Sequence, residues 1–111
     1  MHTVRYFFDS GALYKIELTK TFPNRKHAQP TISAFRQHYE RTRSDIMELE
    51  DDKKASRFIV LQQRELHEVT GIVMGKKHFR VTQVAVDLDR IPAPDLVELN
   101  RDKHFISMIN K

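Results

Sequence analysis

Two segments of this sequence alternate between apolar and polar residues around a glycine-containing turn, and this pattern constrains the fold most. The first segment, TVRYFFDSGALYKIELTK (residues 3–20), turns at Asp9-Ser10-Gly11. The second segment, GIVMGKKHFRVTQVAVDLD (residues 71–89), turns at Gly75-Lys76-Lys77. Period-two alternation on both sides of a turn that can hold a positive φ is typical of a β-hairpin. The sequence therefore predicts two antiparallel hairpins.

A helical pattern lies between the two hairpins. Residues with mainly apolar side chains recur there at intervals of three and four, which places them in one stripe along a helix. They are Ile32, Phe35, Tyr39, Thr42, Ile46 and Leu49. Pro30 suits the first turn of a helix, where its missing N–H costs nothing. We therefore expect a long helix from about Pro30 to about Glu50.

The charges along this predicted helix run against its dipole. Bases occupy the first half and acids follow, whereas a helix favours acids near its N-terminus and bases near its C-terminus. Base-first pairs such as Arg36 with Glu40 offset part of the cost. The same order polarises the chain: residues 1–44 hold eight Lys/Arg and three Asp/Glu, a net +5, and residues 45–56 hold five acids and two lysines, a net −3.

The segment from Ser56 to Gly71 is ambiguous. Residues 58–61 form a short apolar run that suits a buried strand, while the polar residues after them suit a helix, and periodicity does not separate the two. We assign a strand to about residues 57–66. A helix here would create two consecutive helices and strengthen a DNA-binding interpretation. With the second hairpin, the strand predicts a three-strand β-meander over about residues 57–89.

The C-terminal segment, IPAPDLVELNRDKHFISMINK, begins with two prolines and an acid, which is a helix-start signal. Its apolar residues fall on opposite sides of a continuous helix, so we expect a short C-terminal helical segment with a break near residues 100–102. The last apolar set must be covered within the chain, which we favour, or by a partner or a second copy in a homodimer. These candidate contacts are Phe105, Ile106, Met108 and Ile109.

Together these elements predict a single compact α+β domain over residues 1–111, with the long helix on one face of a mainly antiparallel sheet.

The chain has no cysteine, which excludes disulfides and thiolate metal sites. No apolar run reaches the length of a membrane span, and the N-terminus lacks the features of a signal peptide. We therefore expect a cytoplasmic protein without a membrane partner.

Catalytic and metal-binding motifs are not found in the sequence. The histidines lack the HxH or HExxH spacing of metal sites, and there is no glycine-rich phosphate loop. Asp87 and Asp89 would lie on one side of a strand and could bind Mg²⁺, but Arg64 and Arg90 are candidate neighbours and we favour ion pairs. We predict no catalytic residue, metal or cofactor, and a small nuclease ranks third among the functions.

The basic first half favours an anionic partner. We predict a small basic nucleic-acid-binding module without catalytic activity, in which Tyr6, Phe7 and Tyr14 of the first hairpin stack on bases. The candidate phosphate or anion contacts are Arg25, Lys26, Arg36, Arg43, Lys76, Lys77 and Arg80. The alternative is a protein-interaction or inhibitory module that docks on an acidic surface of a larger protein through its polarised charge and apolar tail. A continuous basic stripe with aromatics would favour nucleic acid, and a bare apolar patch with a charged rim would favour a protein.

Overall fold

The computed structural model describes residues 2–52 and 54–109. Its strands are β1 (His2–Asp9), β2 (Ala12–Phe22), β3 (Asp45–Asp51), β4 (Ala55–Gln62), β5 (Glu65–Met74) and β6 (His78–Asp87). Its helices are α1 (Arg25–Arg41), α2 (Ala93–Asn100) and α3 (Lys103–Ile109). The strands form one antiparallel sheet in the order β1-β2-β6-β5-β4-β3. The α+β fold, both hairpins and the break in the C-terminal helical segment are thereby confirmed. The strand predicted at about residues 57–66 is present as β4, but it ends at Gln62, and a turn leads into β5 at Glu65.

The first hairpin closes through a two-residue turn. Ser10 and Gly11 have φ angles of 51° and 80°, and two consecutive positive values belong to the type I′ turn, whose twist matches that of the flanking strands. Tyr6 lies directly opposite Ile16. Val4 and Tyr6 therefore share one face of the sheet with Ile16 and Leu18, as the alternation predicted, whereas Tyr14 lies at the register shift, with its ring 6.4 Å from that of Phe7.

The prediction of a helix over residues 30–50 is wrong at both ends. α1 begins at Arg25 because the Asn24 side chain accepts a hydrogen bond of 3.0 Å from the His27 N–H and caps the first turn. Residues 25–29, which the prediction left outside the helix, thus belong to it. α1 ends at Arg41, and Arg43 then adopts a φ of 55°, which lies outside the helical region.

The acidic segment assigned to the second half of that helix is strand β3. Ile46 follows Tyr39 by seven residues, which fits a helical stripe, but as a β-branched residue it also suits a strand. In the structure Ile46 lies opposite Val60 of β4, so the meander has four strands instead of the predicted three. The charge order that opposed the helix dipole is explained, because the bases and the acids belong to different elements.

α1 packs on one face of the sheet, which we call the helix face. Ile32 and Tyr39 of α1 are each 1% exposed and belong to a cluster with Phe58 and Phe79. Gly71 allows this close approach, since a Cβ there would lie 2.6 Å from the Phe79 ring and 3.2 Å from Ile32. Full burial of one such side chain contributes about 1.5–3 kcal/mol, so the cluster is the main core of the fold.

α2 and α3 lie on the opposite face, the tail face. Arg57 points to this face because it precedes Phe58 of the core, and its guanidinium lies 3.6 Å from a carboxylate oxygen of Asp102. Asp102 also caps α3 by accepting a hydrogen bond of 2.9 Å from the His104 N–H. Phe105 is 3% exposed. The C-terminal segment is therefore attached to the sheet by an ion pair and a buried ring.

Candidate functional site

Part of the helix face is left uncovered by α1. The helix packs over β5, β6 and the neighbouring β2, while the side chains of Val4, Tyr6 and Phe8 in β1 are 40%, 60% and 62% exposed. Two half-buried residues of β2 continue this surface. We call the set the wing floor, and it consists of Val4, Tyr6, Phe8, Ile16 and Leu18. The floor is a contiguous apolar strip on the open half of the helix face.

The wing floor has the width of one helix. Two strands about 4.8 Å apart give a strip about 10 Å wide, and from Val4 to Phe8 the strip extends for about 13 Å. A helix is about 10 Å in diameter and rises about 5.4 Å per turn, so the strip matches about two and a half turns of a helix. The helix face therefore has room beside α1 for a second helix, which residues 2–52 and 54–109 do not supply.

A groove runs between α1 and the wing floor. One part, a cavity of about 570 Å³, is lined by Phe35 and His38 of α1 and by Gln83 of β6. A second part, of about 220 Å³, is lined by Phe35 and Gln83 together with His2 and Lys20. The groove is thus continuous along α1, with the basic side chain of Lys20 at one end.

Three polar side chains form a hydrogen-bonded chain at the base of this groove. Gln83 Nε2 donates to the Tyr39 hydroxyl at 3.0 Å, and that hydroxyl lies 2.9 Å from Nδ1 of His67. Either group can donate in this second bond, because the Tyr39 oxygen has two acceptor lone pairs and the direction depends on the tautomer of the imidazole. Burial lowers the pKa of His67 and raises the pKa of Tyr39. The chain therefore links α1 to β5 and β6 through uncharged groups.

The two edges of the sheet differ in their protection. β3 forms one edge and β1 the other. β3, with the sequence DIMELED, is rich in acids and has a register shift between Glu48 and Glu50; both features discourage pairing with another strand. β1, with the sequence HTVRYFFD, has one basic side chain, Arg5, and one acidic side chain, Asp9, besides His2. The register shift in its hairpin inserts the extra residue, Tyr14, into β2, so the backbone of β1 stays regular.

Two of the predicted phosphate contacts are engaged by acids of β3. Arg25 donates a hydrogen bond of 2.8 Å to Asp51, and Arg36 donates two bonds of 2.9 and 3.1 Å to the carboxylate of Glu48. These arginines fasten α1 to β3. The structure does not bring them into one patch with Arg43, which follows the C-terminal end of α1.

The other predicted phosphate contacts lie at one end of the sheet. The turn at residues 75–77 joins β5 to β6 and supplies two lysines. α1 begins at the same end, because the Arg25 guanidinium lies 5.8 Å from the centroid of the Phe79 ring. We call the exposed cations at this place the basic end, and they are Lys26, Lys76, Lys77 and Arg80. The structure therefore retains a basic cluster that is smaller than the predicted one.

The predicted tail contacts are only partly accessible. Phe105 is buried within the chain and Ile106 is half-buried, while the side chains of Met108 and Ile109 lie outside the described residues. Phe105 therefore serves the interior of the protein.

The acids considered for Mg²⁺ form ion pairs, as favoured from the sequence. Arg64 lies 2.9 Å from Asp89, and Arg90 lies 3.7 Å from Asp87. Within residues 2–52 and 54–109, no group of three His, Asp or Glu side chains is placed to hold a metal ion. No helix in the same part of the chain is both long and apolar enough to cross a membrane.

Comparisons of the chain with protein-family models, curated proteins and solved structures find no match. The surfaces that bear on function are thus the wing floor with its groove, the edge of β1 and the basic end. Sequence reasoning named Tyr6 as a stacking residue but missed the rest of the wing floor. The sequence signal for a bare part of the sheet was the number of predicted helices and strands. One long helix is too narrow to cover a whole face of a sheet with this many strands.

Proposed function

We propose that this protein is a protein-interaction module that receives an amphipathic helix of a partner protein on the wing floor. The main support is the bare apolar strip of helix width beside α1, in which the three β1 side chains are 40–62% exposed. Contiguous exposed apolar surface marks interaction sites. Docking of an amphipathic helix into an apolar groove is a recurring mode of recognition.

The charges around the strip favour an acidic partner. The wing floor itself is uncharged, Lys20 lines one end of the groove, and the whole chain has a net charge of +4. A complementary helix would place apolar residues at i, i+3, i+4 and i+7 against the floor and acids at the end nearest Lys20. Charge complementarity of this kind mainly raises the association rate and excludes other partners.

A display selection tests this function. A library of helical peptides about as long as α1 is selected on the immobilised protein, and the same selection is run on the double variant Tyr6→Glu/Phe8→Glu. We expect enriched peptides with an apolar stripe and an acidic end, whose affinity drops about tenfold or more in the double variant. Their affinity should be unchanged in Val97→Glu, which places an acid at a residue of α2 that is 51% exposed.

Two results would refute the helix-receiving function. One is a selection that enriches no helical peptide on the wild-type chain. The other is peptides that bind the double variant as well as they bind the wild type. Circular dichroism and melting curves of the double variant verify that it is folded, which is expected because both positions are largely exposed.

A second candidate function is nucleic-acid binding at the basic end. It is supported by four exposed cations that lie close to the N-terminus of α1, where helix polarity also favours phosphate. Binding to single- and double-stranded oligonucleotides should weaken as salt increases and should be lost in Lys76→Glu/Lys77→Glu. Arg43→Glu/Arg41→Glu, with the same change in charge, should bind as the wild type does. No binding at low salt would exclude this function.

A further inference from the structure

The free edge of β1 is self-complementary. We propose that it pairs with β1 of a second copy of the chain, in an antiparallel ladder with two-fold symmetry centred on Tyr6. This inference goes beyond the docking of a helix, because it concerns the backbone edge of β1 and not the face formed by the wing floor. The ladder would satisfy the backbone N–H and C=O groups that an edge strand presents to solvent.

Two-fold symmetry restricts the registers that such a ladder can adopt. At its centre a residue lies opposite its own copy, and residues at equal distances on either side of the centre lie opposite each other. A ladder centred on Arg5 would place two guanidinium groups directly opposite, which is destabilising. A ladder centred on Phe7 would run only from Arg5 to Asp9 before the turn ends the strand.

A ladder centred on Tyr6 is longer and matches side chains on both faces. It runs from Thr3 to Asp9, and on the helix face it sets Val4 opposite Phe8 of the second copy. On the tail face it sets Arg5 opposite Phe7 of the second copy. The Arg5 guanidinium already lies 5.0 Å from the ring of its own Phe7, so a cation–aromatic contact would extend across the interface.

The pairing would also enlarge the proposed docking surface. The two β1 strands would be neighbours in one continuous sheet, and the wing floors of both copies would lie side by side. α1 of each copy would stand at an outer border of this joint floor. A trough between two helices would result, with apolar side chains along its base and Lys20 contributed by each copy.

Single cysteines test this geometry cleanly, because the natural chain has none. Directly opposite residues in a ladder have Cβ atoms about 4.5–5.5 Å apart, which a disulfide can bridge with a small adjustment. Tyr6→Cys should therefore form a disulfide-linked dimer under mild oxidation. A mixture of Arg5→Cys and Phe7→Cys chains should form the mixed dimer, while each of them alone should remain largely unlinked.

The controls separate the ladder from other contacts. Val97→Cys is also exposed and should remain unlinked. A Tyr6→Cys dimer without the mixed dimer would indicate that two wing floors meet face to face, and it would overturn the proposal. A Phe7→Cys homodimer would overturn the register centred on Tyr6. An unlinked Tyr6→Cys chain would overturn self-pairing altogether.

Sedimentation equilibrium supplies a measurement without cysteines. Tyr6→Lys places like charges opposite each other at the centre of the ladder and should weaken the dimer by about tenfold or more, whereas Val97→Lys should leave it unchanged. A wild-type chain that stays monomeric at the concentrations used for cross-linking would contradict the proposal. Failure of the dimer leaves the helix-receiving function intact, because peptides selected on the monomer contact the face of the wing and not its edge.

Discussion

At the β3 edge of the sheet, the carboxylates of Glu48 and Asp51 accept hydrogen bonds from Arg36 and Arg25 of the overlying helix. At the β1 edge, no helix of the described chain lies over the strand, and Phe8 is 62% exposed. Both edges belong to the same sheet and have strands of similar length. They differ in which side chains face outward and in whether another element covers them.

The comparison indicates how one sheet can be closed to partners at one edge and open at the other. Acids along β3 repel further strands and also bind the arginines that position α1, so the same residues serve stability and solubility. β1 has two charged side chains, Arg5 and Asp9, and its helix-face side chains are exposed. The helix docking and the self-pairing proposed for this protein therefore belong to the open half of the sheet.

The largest expected contrast in stability comes from replacing Phe by Ala in the half of the sheet under α1 and in the open half. Phe58→Ala removes a ring that is 0% exposed and should lower the free energy of unfolding by about 3–5 kcal/mol. Phe8→Ala should lower it by less than about 1 kcal/mol, because that ring is already in contact with solvent. Urea denaturation at low protein concentration measures both. Equal losses would mean that the wing floor is part of the core.

A smaller contrast is expected between two ion pairs. Arg36, whose side chain is 25% exposed, donates two hydrogen bonds to Glu48. Arg5 is 62% exposed and lies 3.4 Å from Glu17. Glu48→Gln should cost about 0.5–1 kcal/mol and Glu17→Gln close to nothing. Thermal melts at low and high salt give both values, and a salt-insensitive loss for Glu48→Gln would indicate that its pairing with Arg36 is not the cause.

The smallest expected effect is the pH dependence of stability that arises from His67, at the border between the half of the sheet under α1 and the open half. Burial lowers the pKa of His67 below its ordinary 6.5; Glu65 opposes this shift and His38 adds to it. The unfolded chain therefore takes up the proton at higher pH than the folded chain does. This contribution to stability is present above about pH 6.5 and is lost as the pH falls through the lowered pKa. His67 is only half-buried, so the loss should be modest.

His67→Gln isolates this titration from the others. Urea unfolding of the variant should show a flatter profile than the wild type between about pH 5 and pH 7.5. His78→Gln, at an exposed position in β6, should leave the profile unchanged. Identical profiles for the wild type and His67→Gln would rule out His67 as the source of the pH dependence.

The hairpins were predictable because a period of two and a turn residue with positive φ are local properties of the sequence. The end of α1 was not, because Ile46 fits a helical stripe after Tyr39 and, as a β-branched residue, suits a strand as well. The choice depends on pairing with β4, where Ile46 meets Val60. A contact between distant segments therefore decided a boundary that local pattern left open.

The candidate site was less predictable than the fold. The alternation around Tyr6 has the same appearance whether its apolar face is covered or bare, and only the position of α1 distinguishes the two. Arg36 likewise has a candidate local partner in Glu40, but the structure pairs it with Glu48 across the space between helix and sheet. Exposure and ion pairing both depend on tertiary contacts, which a single sequence does not display.

Gly71 has a consequence for how this fold can change over time. A Cβ at this position would lie 2.6 Å from the ring of Phe79, so a side chain cannot be gained here while that ring stays in place. A lineage can leave glycine only after or together with a change that moves or shrinks the residue at position 79. Descendants of this sequence should therefore keep Gly71 wherever they keep Phe79 in this place.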